Sequence, residues 1–163
     1  FSVIAMILSS VLLCVFFIDL ENQIIPDRFH IIIGVLAVAG LFFYDSKFSG
    51  KEHLLSHIIG AAVGFLSFYL IGLLMTKALG REALGGGDIK FSLVMGLFLG
   101  WQKWLFAILV SSLCASIVLI IIARFSKKER EYPFGPFLAT AFFITVIFGD
   151  LIIDRYLLFL TNI

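Results

Sequence analysis

From Trp104 to Ala123 the chain runs for twenty residues without one charged side chain, and nothing else in the sequence restricts the fold as much. A helix of that length extends about 30 Å, which is the thickness of the hydrocarbon core of a bilayer. Comparable apolar runs occur at about 1–18, 29–44, 54–79, 88–101 and 137–161, separated by clusters of charge. Of the 163 residues, 61% are hydrophobic and 14% charged, so a water-soluble domain of this size would lack the polar surface to cover itself. Polar residues gather between the runs instead of alternating within them, which predicts helices and not strands of a barrel. Pro26, Pro133 and Pro136 all fall in connectors, where helices end. The expected fold is all-α: a polytopic membrane helical bundle with about six transmembrane helices, a single domain over residues 1–163 with the lipid bilayer around it.

The first run, Phe1 to Ile18, has neither a basic flank nor a small-residue cleavage site, so it reads as a span and not a signal peptide. Because the chain begins with Phe, its natural start is expected to lie upstream. A formal net charge of +1 without a basic stripe argues against nucleic-acid binding. Cys14 and Cys114 sit inside apolar runs without metal-ligand spacing and are expected in the core. His53 and His57 are one helical turn apart but lack a third ligand, so a packing or interfacial role is expected of them and no metal site.

Six spans put the connectors after spans one, three and five on one face of the membrane. That face holds Arg28, Lys77, Arg81, Lys90, Arg124, Lys127, Lys128 and Arg130, against Lys47, Lys51, Lys103 and Arg155 on the other. Eight basic residues against four assign the first face to the cytoplasm. The run Arg124 to Glu131 then acts as a cytoplasmic anchor, and Trp101 with Trp104 is expected at the far interface. The fourth span is short, about 20 Å against a core near 30 Å. The loop Gly85-Gly86-Gly87 is therefore expected to dip below the surface and carry Asp88 with it. Gly60 with Gly64, and Gly96 with Gly100, have the spacing of close helix contacts.

The same topology brings Asp19, at the end of span one, and Asp88, at the start of span four, to the cytoplasmic boundary. Each acid alone is explained by a connector or a helix cap. Two acids on separate spans at one face, one of them behind three glycines, are more than capping requires. Carboxyl groups sharing a low-dielectric pocket retain one proton between them. The ionised partner can then take a proton from water while the other polarises a carbonyl oxygen, which is the division of labour in hydrolysis of a peptide bond. No HExxH, nucleophile elbow or Cys-His pair competes.

Three blocks carry a family resemblance: "DLENQIIPD" from Asp19 to Asp27, "GGGD" from Gly85 to Asp88 followed by Ile89-Lys90, and "YPFGPFLA" from Tyr132 to Ala139. In this order they resemble the signatures of the type IV prepilin peptidases, membrane aspartic proteases of the GxGD class. The resemblance implies Asp19 and Asp88 as the catalytic dyad and Gly85, Gly86 and Gly87 as the active-site loop. Asp27, Lys90, Pro133, Gly135 and Pro136 are candidate supporting or substrate-binding residues; Lys90 either favours an ionised dyad or snorkels to lipid headgroups, and the Pro-Gly-Pro turn either only breaks the helix or also lines a substrate entry. It also implies cleavage, in the bacterial inner membrane and on its cytoplasmic side, of the basic leader of type IV prepilins and pseudopilins destined for a pilus or secretion filament. Peptide hydrolysis of this kind needs no cofactor. Family members often N-methylate the new amino terminus with S-adenosylmethionine and carry an upstream segment with paired CxxC ligands; nothing in this chain matches that segment.

The main alternative is a proton- or cation-coupled transporter using buried carboxylates, which predicts acids near the midplane and an internal repeat. A non-catalytic scaffold needs only the glycine pairs. A preflagellin peptidase shares the GxGD class, but Pro26-Asp27 and the PFGPF block lean toward the prepilin branch. The oligomeric state and the precursor are not encoded in any of these features.

Overall fold

A computed structural model describes residues 2–44, 51–81, 84–125 and 132–161. These residues form six helices and no strand: α1 (Ser2–Asn22), α2 (Asp27–Tyr44), α3 (Lys51–Leu79), α4 (Gly86–Leu99), α5 (Trp101–Phe125) and α6 (Gly135–Thr161). Each expected span is one helix. Five of them begin two or three residues before the apolar limit, because a backbone whose N–H and C=O groups bond internally continues until a specific residue stops it, whereas α4 stops at Leu99, short of the expected 101.

The stops are visible. Helix α1 ends where Gln23 adopts φ 55°, its N–H donating to the Asp19 carbonyl at 2.9 Å. Pro26 stands just before α2, and Pro136 lies in the first turn of α6, where a missing N–H costs nothing. Between α4 and α5 a single residue, Gly100, turns the chain at φ 77°. A β-carbon there would also lie 2.9 Å from Ser56 Oγ, so this position takes glycine on two counts.

Among the described residues three helices are long and apolar enough to cross a membrane, over Val3–Asn22, Leu54–Leu79 and Trp101–Ile122. Large apolar side chains such as Leu13, Ile31, Leu74, Leu113 and Ile120 point outward from the bundle, an arrangement suited to lipid and not to water. The protein is a multi-pass membrane bundle. Its inner helix is α4, which packs on α2, α3, α5 and α6 and buries Phe91, Ser92, Val94, Met95, Gly96 and Leu99. At 14 residues α4 is about 21 Å long.

Helix α4 lies closest to α3, through the expected small residues. A β-carbon on Gly60 would meet the Gly96 carbonyl oxygen at 2.5 Å, and one on Gly64 would meet the Ser92 carbonyl oxygen at 2.5 Å. Ser92 Oγ donates to the Gly64 carbonyl at 3.1 Å and accepts from Trp104 Nε1 at 3.1 Å. Trp104 is thus buried, 3% exposed, and only Trp101 faces outward. This corrects the expectation of an interfacial pair: the indole N–H of Trp104 is satisfied by a serine inside the bundle and has no need of the membrane surface. The core positions expected for Cys14 and Cys114 are also corrected, since both are exposed on helix surfaces. In lipid a thiol on the outer face is as well placed as one in the core, so burial carries no advantage there. His57 packs as expected, its Nδ1 2.8 Å from the Leu97 carbonyl. The His53 side chain, Lys47 and the run 126–131, with Lys127, Lys128 and Arg130, lie outside the described residues.

Candidate active site

At one end of the bundle the close of α1, the connector 23–26 and the starts of α2, α4 and α6 converge. Asp19 lies one turn before the end of α1, buried at 4% exposure, and its Oδ2 has no hydrogen-bond partner among the described residues. The same carboxyl lies against Gly135 at the start of α6. Asp88 lies in the first turn of α4, half-buried, where a negative charge opposes the helix dipole. Its N–H donates to the Gly85 carbonyl at 3.1 Å, and its Oδ2 leans back over Gly85. Ile25 lies against Gly135, beside the Asp19 carboxyl, and against Gly87, beside Asp88, so two acids 69 positions apart in the chain come to one end of the bundle.

Glycines permit this convergence by closeness. Gly85 caps α4 with φ −65° and ψ 140°, torsions open to any residue. A β-carbon on Gly87, however, would come within 3.3 Å of Ile25 Cβ, and one on Gly135 would come within 2.9 Å of Asp19 Cγ and 3.1 Å of Ile25 Cδ1. Ile25, itself buried, is the wedge between the starts of α4 and α6. Gly86 has open space beside it. Pro133 and Pro136 flank Gly135, and the Phe134 carbonyl accepts from the N–H groups of Phe137 and Leu138 at 3.1 and 3.2 Å, fixing how α6 begins.

Lys90 and Asp27 meet each other: Lys90 Nζ donates to Asp27 Oδ1 at 2.7 Å. The Lys90 ammonium, through this hydrogen bond and its charge, holds the Asp27 carboxyl below the ordinary carboxylate value of 3.8. Both groups are solvent-exposed, 68% for Asp27 and 56% for Lys90, so the pair is screened. The expectation that Lys90 serves the dyad thus meets a structure in which its ammonium is engaged by Asp27.

One residue at this end was not singled out by sequence reasoning. His30, 6% exposed, places Nε2 3.0 Å from the Gly87 carbonyl oxygen. The signal was present as a lone imidazole in an apolar run, which needs a polar partner when buried. Among the described residues no group of three or more His, Cys, Asp or Glu side chains is placed to hold a metal ion.

A carboxyl pair of this kind can divide acid and base roles toward a water molecule. Residues 6–120 match the type IV leader peptidase family. The chain belongs to that family. Among curated proteins it is similar to the prepilin leader peptidase/N-methyltransferase of Aeromonas salmonicida (strain A449), 34% identical over 155 residues, or 94% of this chain and 52% of that protein. Proteins of the same description from Pseudomonas aeruginosa (34% over 150 residues, 91% and 50%) and Xanthomonas campestris pv. campestris (30% over 157 residues, 95% and 53%) are also similar. The chain spans about half the length of these relatives. No solved structure matches it. The stretch matched to the type IV leader peptidase family takes in Asp19, Asp27, His30, residues 85–88 and Lys90, whereas Pro133, Gly135 and Pro136 follow it.

Proposed function

We propose that this chain is a membrane aspartic endopeptidase that removes the basic leader of type IV prepilins and pseudopilins. Asp19 and Asp88 are its water-activating dyad. One observation carries the reading above all: the buried Asp19 carboxyl lies against Gly135, and Ile25 lies against both Gly135 and Gly87, the neighbour of Asp88, so the two acids come from separate helices to one place. Family membership and the names of the relatives support the substrate class.

In this mechanism one carboxyl is ionised and the other protonated. The carboxylate takes a proton from a water molecule lodged between them, and the water oxygen attacks the scissile carbonyl carbon. The protonated partner donates to the carbonyl oxygen, giving a neutral tetrahedral gem-diol. Collapse of the gem-diol breaks the C–N bond, with a proton delivered to the departing nitrogen and the other returned to the pair. The precursor's apolar helix lies against the bundle in the bilayer, and its basic leader stays on the side of Arg28, Lys77, Arg81, Lys90 and Arg124. Their excess supports an inner-membrane protein with its site toward the cytoplasm. Helix backbone must open before cleavage, because its carbonyls are engaged, and the dyad lies at helix ends where an extended segment has access.

The test is co-expression with candidate precursors and mass spectrometry of their amino termini. Wild type is expected to remove the leader, whereas Asp19→Asn and Asp88→Asn assemble in membranes and leave it attached. Cleavage retained by either variant would remove that residue from the dyad. Ion flux without cleavage in proteoliposomes would favour a transporter.

A further inference from the structure

We propose that His30 is a positioning residue: it holds the Gly87 carbonyl, and through it the first turn of α4 that presents Asp88. The inference rests on the reading of Asp19 and Asp88 as the peptidase dyad.

A carbonyl oxygen only accepts, so the 3.0 Å contact requires the proton on His30 Nε2. That bond selects the tautomer. Nδ1 is buried with no hydrogen-bond partner among the described residues, and Asp27 Oδ1 is 3.7 Å from it. An apolar residue would fill the space without burying a ring nitrogen, so what the histidine adds here is the bond that its Nε2 makes. The ring is held by an edge contact with Phe91, centroids 6.2 Å apart, and Phe91 is itself fully buried. His30 thus joins the first turn of α2 to one peptide group of α4.

That peptide group adjoins Asp88. Gly87 has no side chain with which α2 could grip it, and a β-carbon would strike Ile25, so a hydrogen bond to its carbonyl is one of the few handles available. The Asp27–Lys90 pair links the same two helices, but both partners are exposed and it constrains little. The buried bond from His30 sets where the Asp88 carboxyl stands relative to Asp19.

The Gln amide nitrogen is as many bonds from the backbone as His Nε2 and can donate to Gly87; the Asn amide nitrogen is one bond nearer and falls short. Wild type, His30→Ala, His30→Gln, His30→Asn and Asp88→Asn are purified as full chains in detergent. Each is assayed on one precursor for kcat and KM per folded protein. His30→Ala and His30→Asn are expected to lose roughly 10- to 100-fold in kcat with KM within about twofold of wild type, and His30→Gln to recover most of the loss. A purely structural histidine would lower folded yield and leave kcat alone. Wild-type kcat in His30→Asn, or equal kcat in the Gln and Asn variants, overturns the proposal, and that comparison stands even if His30→Ala does not fold. If wild type cleaves and Asp88→Asn does not, such a result counts against His30 alone; if wild type cleaves no precursor, the peptidase reading itself falls and takes this inference with it.

Discussion

The carboxyl group of Asp19 fills the space that any side chain at residue 135 would need, with Asp19 Cγ only 2.9 Å from where a β-carbon on Gly135 would lie. The start of α6 and the end of α1 are thereby fitted to one another around an acid. Gly135→Ala is expected to push Asp19 out of register with Asp88 and to lower kcat for precursor cleavage by roughly 10- to 100-fold. Kinetics on the purified variant check this, with Gly40→Ala, a change into open space away from the acids, as the comparison for steric effects.

The Asp27–Lys90 pair predicts a local pH dependence. Because Lys90 lowers the Asp27 value from 3.8, the pair's stabilising effect is fully present above about pH 4 and disappears as pH falls through the lowered folded value. Carbon-13 NMR of the labelled carboxyl is expected to show a midpoint below 3.8 in wild type that returns toward 3.8 in Lys90→Met. At neutral pH, Lys90→Met is expected to leave stability nearly unchanged, since both groups are exposed.

The α3–α4 contact has no room for a side chain at Gly60, where the nearest atoms are backbone of Gly96, Gly100 and Trp101. Backbone cannot rotate aside, so Gly60→Leu is expected to separate the helices and cost roughly 3 kcal/mol. Unfolding in mixed detergent micelles measures this. Gly40→Ala, with nothing near its added carbon, is expected to be neutral or to stabilise by up to about 1 kcal/mol.

Ser92 serves two partners at once, the Gly64 carbonyl and the Trp104 indole N–H. Ser92→Ala is expected to leave a buried indole donor unsatisfied and to destabilise by roughly 1–3 kcal/mol. Adding Trp104→Phe removes the orphaned donor, so the double variant is expected to lose less than the sum of the two single changes, as read by a double-mutant cycle in the same micelles.

Much of this arrangement was legible in the linear chain. Six apolar runs became six helices, because burial of backbone polar groups in lipid permits little else. The alternation of connectors brought Asp19 and Asp88 to one end, and the glycine spacings marked the α3–α4 contact at Gly60 and Gly96. Hydropathy of the spans was thus enough to set the fold class, the order of the helices and the end at which the acids gather.

Only the tertiary structure decided how each helix is rotated about its axis. A helix apolar on every side has no polar face to reveal which side meets protein and which meets lipid. For this reason Cys14 and Cys114 turned outward, Trp104 turned inward to Ser92, and Lys90 went to Asp27. The bond from His30 to Gly87 belongs to the same class: it joins residues 57 positions apart, and its existence follows from the rotation of α2 against α4, which packing fixes and apolar periodicity does not.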